Sequence, residues 1–151
     1  MADCCDVSSE TKENFNCPLC KTKGKSVEVI TLKSLLTADA LKRLEVGLSY
    51  NFCPAPECDV IYFNSGQQVF LKTDIKVPIF QKDTKNDVPI CYCFDWTRER
   101  IQAEINQTGT STAIQEISAH VKVNRCGCEV NNPQGSCCLG NVSMFIKQIT
   151  K

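Results

Sequence analysis

The stretch Cys91-Tyr92-Cys93, together with Cys126-Gly127-Cys128-Glu129-Val130-Asn131-Asn132-Pro133-Gln134-Gly135-Ser136-Cys137-Cys138, decides how this chain is read. A Cys-x-Cys pair does not close on itself as an unstrained disulfide, because the bridge needs Cα spacings and Cβ directions that such close positions do not offer. Its two thiolates can instead share a soft metal. Thiolate-rich sites select zinc, copper(I) or iron-sulfur clusters, and four cysteine sulfurs are the usual complement of a two-iron, two-sulfur cluster. The later segment must fold back onto the Cys-x-Cys to complete that set. A second set, Cys17-Pro18-Leu19-Cys20 and Cys53-Pro54-Ala55-Pro56-Glu57-Cys58, lies wholly upstream and reads as a separate metal site.

The chain has 151 residues, enough for one ordinary domain or two small ones. The spacing of the cysteine sets favours two, and small domains bury so little core that metal staples are expected in them. Twelve cysteines supply the staples. Seventeen Lys plus Arg balance seventeen Asp plus Glu, which argues against a protein that lives on phosphate-backbone contacts, so no nucleic-acid partner is expected. The opening residues Met1-Ala2-Asp3-Cys4-Cys5 begin neither a basic n-region nor an apolar h-region, and no run approaches a membrane span. The expectation is a cytoplasmic protein without membrane insertion, whose cysteines serve metals or redox chemistry rather than a disulfide framework.

Residues 1–16 are polar and aperiodic and read as a flexible tail carrying the thiol pair Cys4 and Cys5. Val27-Glu28-Val29-Ile30-Thr31 alternates like a half-buried strand. The leucines Leu32, Leu35, Leu36, Leu41 and Leu44 then recur at helical spacing, with Thr37 as an N-cap and Gly47 as a stop. Asp59 to Phe63 and Gln68 to Lys72 form a hairpin through Asn64-Ser65-Gly66. Two cysteine turns at strand ends, with four ligands between them, match a zinc-ribbon-like arrangement, a closed site that stabilises and does not catalyse. Residues 76–80 read as a last strand, and the polar run 81–87 as a linker that puts the domain boundary near residues 82–88. Downstream the pattern turns helical. Thr97 or Asp95 can cap a helix that Gly109 ends, Ser111 or Thr112 opens a second with Ile114, Ile117 and Val121 on one face, and a third starts near Cys138. This places the Cys-x-Cys at one helix start and Cys138 at another, where backbone N–H groups favour a negatively charged cluster.

At these residues the chain resembles the N-terminal region of CopZ-type copper chaperones. The matching stretches are Cys17-Pro18-Leu19-Cys20, Cys53 through Phe63, Pro89-Ile90-Cys91-Tyr92-Cys93, and Cys128 through Cys138. The resemblance implies an α+β chain: a zinc-ribbon-like domain over residues 17–87, followed by a small, mainly helical domain over 88–151 of the bacterioferritin-associated ferredoxin type. It also implies that Cys91, Cys93, Cys128 and Cys138 hold a two-iron, two-sulfur cluster and that Cys17, Cys20, Cys53 and Cys58 bind zinc. Adjacent residues on a helix point about 100° apart, so only one of Cys137 and Cys138 can face the cluster, and Cys138, where the stripe Val142, Phe145, Ile146 and Ile149 begins, is the better placed.

The family's copper-binding module would follow the cluster domain, and the sequence stops at Lys151. The expected function is therefore electron transfer in copper or mercury handling, with metal-ion reduction as the possible enzymatic activity. The expected partners are a redox protein and a soft-metal ion, metal chaperone or transporter. The alternative is a soft-metal chaperone or sensor that carries cargo on Cys4, Cys5, Cys126 and Cys137. Gly24-Lys25-Ser26 lacks the first glycine of a phosphate loop, and the single histidine, His120, cannot build a histidine-based zinc hydrolase or a Rieske centre.

Overall fold

The computed structural model describes residues 15–150. Four short antiparallel strands, β1 (Lys25–Val27), β2 (Tyr50–Phe52), β3 (Val60–Asn64) and β4 (Val69–Leu71), form one sheet in chain order. Helices α1 (Val29–Leu35) and α2 (Ala38–Leu41) connect β1 to β2. Leu32, Leu35 and Leu36 of this connection bury with Tyr50, Phe52, Tyr62 and Phe70 of the sheet. Strand β3 is buried along its whole length and feeds two clusters, this core and a smaller one in which Val60 and Phe63 pack with Cys17, Cys53 and Cys58. A register shift against β4 between Val60 and Tyr62 lets one strand serve both.

The local signals act where expected. The Thr37 side chain accepts from the Ala40 N–H at the start of α2. Asn64 turns the β3–β4 hairpin by accepting from the N–H groups of Gly66 and Gln68, both at 2.9 Å. Two segments differ from expectation. The β-branched run after Val27 favours a strand locally, yet Val29 onward is helical, because helical spacing is what brings Leu32, Leu35 and Leu36 onto the sheet. Residues 76–80 make no strand. The Lys76 N–H donates to Leu35 O at 2.8 Å, but Pro78 has no N–H with which to continue a ladder.

The second unit begins with a hairpin, β5 (Pro89–Cys91) and β6 (Trp96–Thr97), followed by α3 (Arg98–Thr108), α4 (Ala113–Lys122), α5 (Cys128–Asn131) and α6 (Leu139–Ile149). Ile90, Trp96, Ile101, Ile117, Val121 and Val142 form its core. Thr97 caps α3 by accepting from the Arg100 N–H, and Gly109 closes it in the left-handed conformation at φ 84°. Cys91-Tyr92-Cys93 does not start a helix. It ends β5 and enters a tight turn in which Asp95 takes φ 58°, and helix begins only at Arg98. The one-turn helix α5 was not expected from the sequence pattern.

The two units share an interface. Helix α5 packs on α1, the Thr31 hydroxyl donates to Glu129 O at 2.6 Å, and the Tyr62 hydroxyl donates to Pro133 O. Residues 78–88 are strapped down rather than loose: Tyr92 donates to Pro78 O, Arg98 donates to the carbonyls of Phe80, Asp83 and Lys85, and Lys82 and Val88 are buried.

Gly24 makes the tightest fit in the first unit. A Cβ there would lie 2.5 Å from the Phe63 ring and 2.7 Å from the Asn51 side-chain oxygen. Neither neighbour can retreat, since both are buried on the strands that carry the cysteine turns. Gly24→Ala is expected to lower unfolding stability by about 1–3 kcal/mol through overpacking. Denaturant unfolding of the zinc-loaded chain measures this, and an unchanged midpoint would contradict the packing described.

Candidate metal centres

The turn 17–20 precedes β1, and Cys53 and Cys58 sit at the facing ends of β2 and β3, so the antiparallel pairing itself brings them together. The sulfurs of Cys17, Cys20, Cys53 and Cys58 all lie within 4.8 Å of one another. Cys17 and Cys58 are 3.9 Å apart, and Cys20 and Cys53 are 3.6 Å apart. Four sulfurs about 2.3 Å from one zinc ion at tetrahedral angles would be about 3.8 Å apart. The donor set therefore fits zinc, in a closed site with no position left for substrate.

Amide N–H groups two residues downstream reach three of these sulfurs: Thr22 to Cys20, Ala55 to Cys53 and Val60 to Cys58. Such bonds stabilise the thiolate form. At Cys20 the hydrogen bonds win, the Thr22 side chain most of all, and its thiol is pulled down to about 6. At Cys53 burial dominates and pushes the thiol up to about 12, and Cys58 moves the same way for the same reason.

The second set is arranged differently. Cys93 and Cys128 sulfurs are 3.8 Å apart, and the Cys138 thiol is hydrogen-bonded with both Cys128 and Cys91. Cys138 thus links Cys91 to the Cys93 and Cys128 pair. Among the described residues, the first tetrad is the set whose sulfurs all fall within 4.8 Å. The Gly127 N–H donates to the Cys93 sulfur at 3.1 Å, and the Asn131 side-chain amide lies 3.6 Å from it. The hydrogen bond with Cys138 holds the Cys91 thiol down, while Cys93 and Cys138 are pushed up, first by their hydrogen bonds with Cys128, next for Cys138 by that with Cys91, and then by burial. Cys138 is buried at the N-cap of α6, whereas Cys137 is half-buried.

Of the expected cargo thiols, Cys4 and Cys5 lie outside the described residues, and Cys126 is disulfide-bonded rather than a spare thiol. The other nine cysteines of the described chain are outside any disulfide. His120 stacks on Phe94 with ring centroids 4.3 Å apart and faces Arg125, away from any ligand role. No helix among the described residues is long and apolar enough to cross a membrane.

One residue of the first site has no signal in the sequence. Lys82, in the polar run read as a linker, is buried, and its ammonium donates to the carbonyls of Ala55 and Cys58 within the second cysteine turn. A dication with four thiolates leaves two negative charges in a buried place, and a lysine fixed beside them offsets that charge. Lys82→Met is expected to keep the side-chain volume and cost about 2–3 kcal/mol of stability in the zinc-loaded protein. It should also speed zinc loss to a chelator. Unchanged zinc release and melting temperature would show that the ammonium plays no part at the site.

Comparison with known proteins agrees with this geometry. Residues 14–76 match the CopZ family described as a zinc binding domain. The copper chaperone CopZ of Archaeoglobus fulgidus is 30% identical over 124 residues, covering 82% of this chain and 58% of that protein. The chain thus spans somewhat more than half the length of that relative. The X-ray structure of the Archaeoglobus fulgidus CopZ N-terminal domain superposes with a TM-score of 0.74 at 27% identity, covering 87% of this chain and 97% of that one. Over most of its length the chain resembles the N-terminal region of CopZ copper chaperones, and its residues 14–76 match the zinc binding domain of that family.

Proposed function

We propose that this chain handles soft metal ions, copper or a similarly thiophilic ion, with the zinc tetrad holding the fold and the second cysteine set serving as the working centre. The similarity to a copper chaperone supports the metal class. The chemistry rests on one observation, the convergence of four cysteines, with Cys93 beside Cys128 and Cys138 bonded with both Cys128 and Cys91. Four cysteine donors suit a two-iron, two-sulfur cluster, which when bound supplies one electron at a time.

The protein's own part is legible in the surroundings. Ile90, Trp96 and Val142 pack around Cys91 and Cys138 and keep water from them. Gly127 and Asn131 direct N–H groups at the Cys93 sulfur, and hydrogen bonds to cluster sulfurs raise the reduction potential by offsetting negative charge. Cys93 is half-buried, so the centre meets solvent on that side. A redox partner protein would reload the centre there, and a soft-metal ion, metal chaperone or transporter would receive its output. A second form of the reading, cargo carried directly on thiols, is favoured by the relative's description as a chaperone.

Metal and acid-labile sulfide content per chain, on protein purified without oxygen, separates the two forms. The expected result is one zinc, two irons and two sulfides in a red-brown protein. A colourless protein that binds copper(I) and contains no sulfide would replace electron transfer with direct carriage. Within the expected outcome, Cys138→Ala should lose the cluster or shift the electron paramagnetic resonance spectrum of its reduced form. Cys137→Ala should leave that spectrum nearly unchanged, and the reverse pattern would move the ligand to Cys137.

A further inference from the structure

The two candidate ligands contributed by residues 128–138 are joined by a segment with little regular structure of its own. Helix α5 is a single turn, and one turn of helix does not stand alone in water. Internal bonds shape the segment: Asn132 donates to Ser136 O and accepts from the Gln134 N–H, and Gln134 donates to the carbonyls of Ser136 and Cys137. The second unit holds its two sides, where the Asn131 amide reaches the Cys93 sulfur and Asn141 donates to Gln134, and the first unit supplies the buried hydroxyls beneath it. Thr31 and Tyr62 are both wholly buried, and they donate to Glu129 O and Pro133 O respectively. Gly135, at φ 73°, lies so close to β1 and α1 that a Cβ would come within 3.2 Å of both Thr31 and Val27.

Tyr62 is in turn placed by the first tetrad. It pairs with Phe52 across β2 and β3, one residue from Cys53, and the Cys53 N–H donates to Ile61 O at 2.9 Å. Burial pushes the Tyr62 hydroxyl far above its ordinary value, so it remains a proton donor at any working pH. An uninterrupted set of buried contacts therefore runs from the zinc ligands through β3 to the carbonyl five residues before Cys138.

We propose that the zinc unit is the mould for the second cysteine centre: Tyr62 and Thr31 are positioning residues that hold residues 128–138, and with them Cys128 and Cys138, in ligating shape. The identity of the second centre rests on the reading above, but the positioning does not. The segment belongs by sequence to the second unit and packs its helix on the first. The two centres are then not independent, and the second assembles on a folded, zinc-loaded first unit.

Amide hydrogen exchange on the zinc-loaded full chain tests this. Loss of one buried hydrogen bond corresponds to roughly five- to tenfold in a local opening equilibrium. Tyr62→Phe and Thr31→Val should speed exchange over residues 129–138 by that factor, with zinc content unchanged and α3 and α4 unaffected. Thr31→Ser, which keeps the hydroxyl, should restore wild-type exchange. In iron-reconstituted protein the first two variants should also lose iron to a chelator faster and shift the paramagnetic resonance spectrum, which Thr31→Ser should not. Unchanged exchange over 129–138, or an increase spread equally across α3 and α4, would overturn the proposal. Should Tyr62→Phe fail to fold, the Thr31 pair decides. If the wild-type chain takes up no iron, the cluster reading fails, while the exchange data still decide the positioning.

Discussion

Four thiols converging within 4.8 Å are the constraint on which this molecule depends. Antiparallel pairing of β2 and β3 places Cys53 and Cys58 side by side, and the turn at Cys17 and Cys20 closes over them. Without an ion, three buried thiols and the half-buried Cys20 contribute little beyond their packing, and burial makes the protons of Cys53 and Cys58 hard to remove. With zinc bound, the same geometry becomes a covalent-strength clamp on three separate stretches of a unit too small to rely on its apolar core. Strand β3, buried from end to end, carries the result into the rest of the chain.

The proposed second centre reverses the division of labour. Its first two cysteines sit on a hairpin with its own apolar support, while Cys128 and Cys138 bracket a segment that accepts hydrogen bonds from Thr31 and Tyr62 of the other unit. Lys82 and Arg98 show the same interdependence from the connecting side. Lys82 reaches back to the first tetrad, and Arg98 reaches from α3 to three carbonyls of the connection. The division at residues 87 and 88 is useful for assigning ligands, but the hydrogen bonds across it tie the two halves in one structure.

Much of this was legible in the sequence because it was local. The cysteine spacings singled out the tetrad and nominated the second set, and Thr37, Thr97 and Gly109 marked helix ends through the chemistry of their own side chains or backbone. The misses share a cause, a long-range partner that overrides a local preference. A β-branched run after Val27 became helix because three leucines face a sheet formed more than a dozen residues later. A polar linker proved to contain a buried lysine because its acceptors lie in the distant turn 53–58. The Cys-x-Cys fell on a hairpin rather than a helix start because Trp96 and Thr97 pair with Pro89 and Cys91 before Thr97 caps α3.

Zinc K-edge X-ray absorption on the full chain tests the central claim most directly, because it reads the donor set without depending on the second centre. A closed tetrathiolate site predicts four sulfur neighbours at about 2.3 Å and no light-atom neighbour. A spectrum requiring nitrogen or oxygen in the first shell, or fewer than four sulfurs, would contradict the account. It would mean that the clamp which sets β2 against β3 is not made by Cys17, Cys20, Cys53 and Cys58 together.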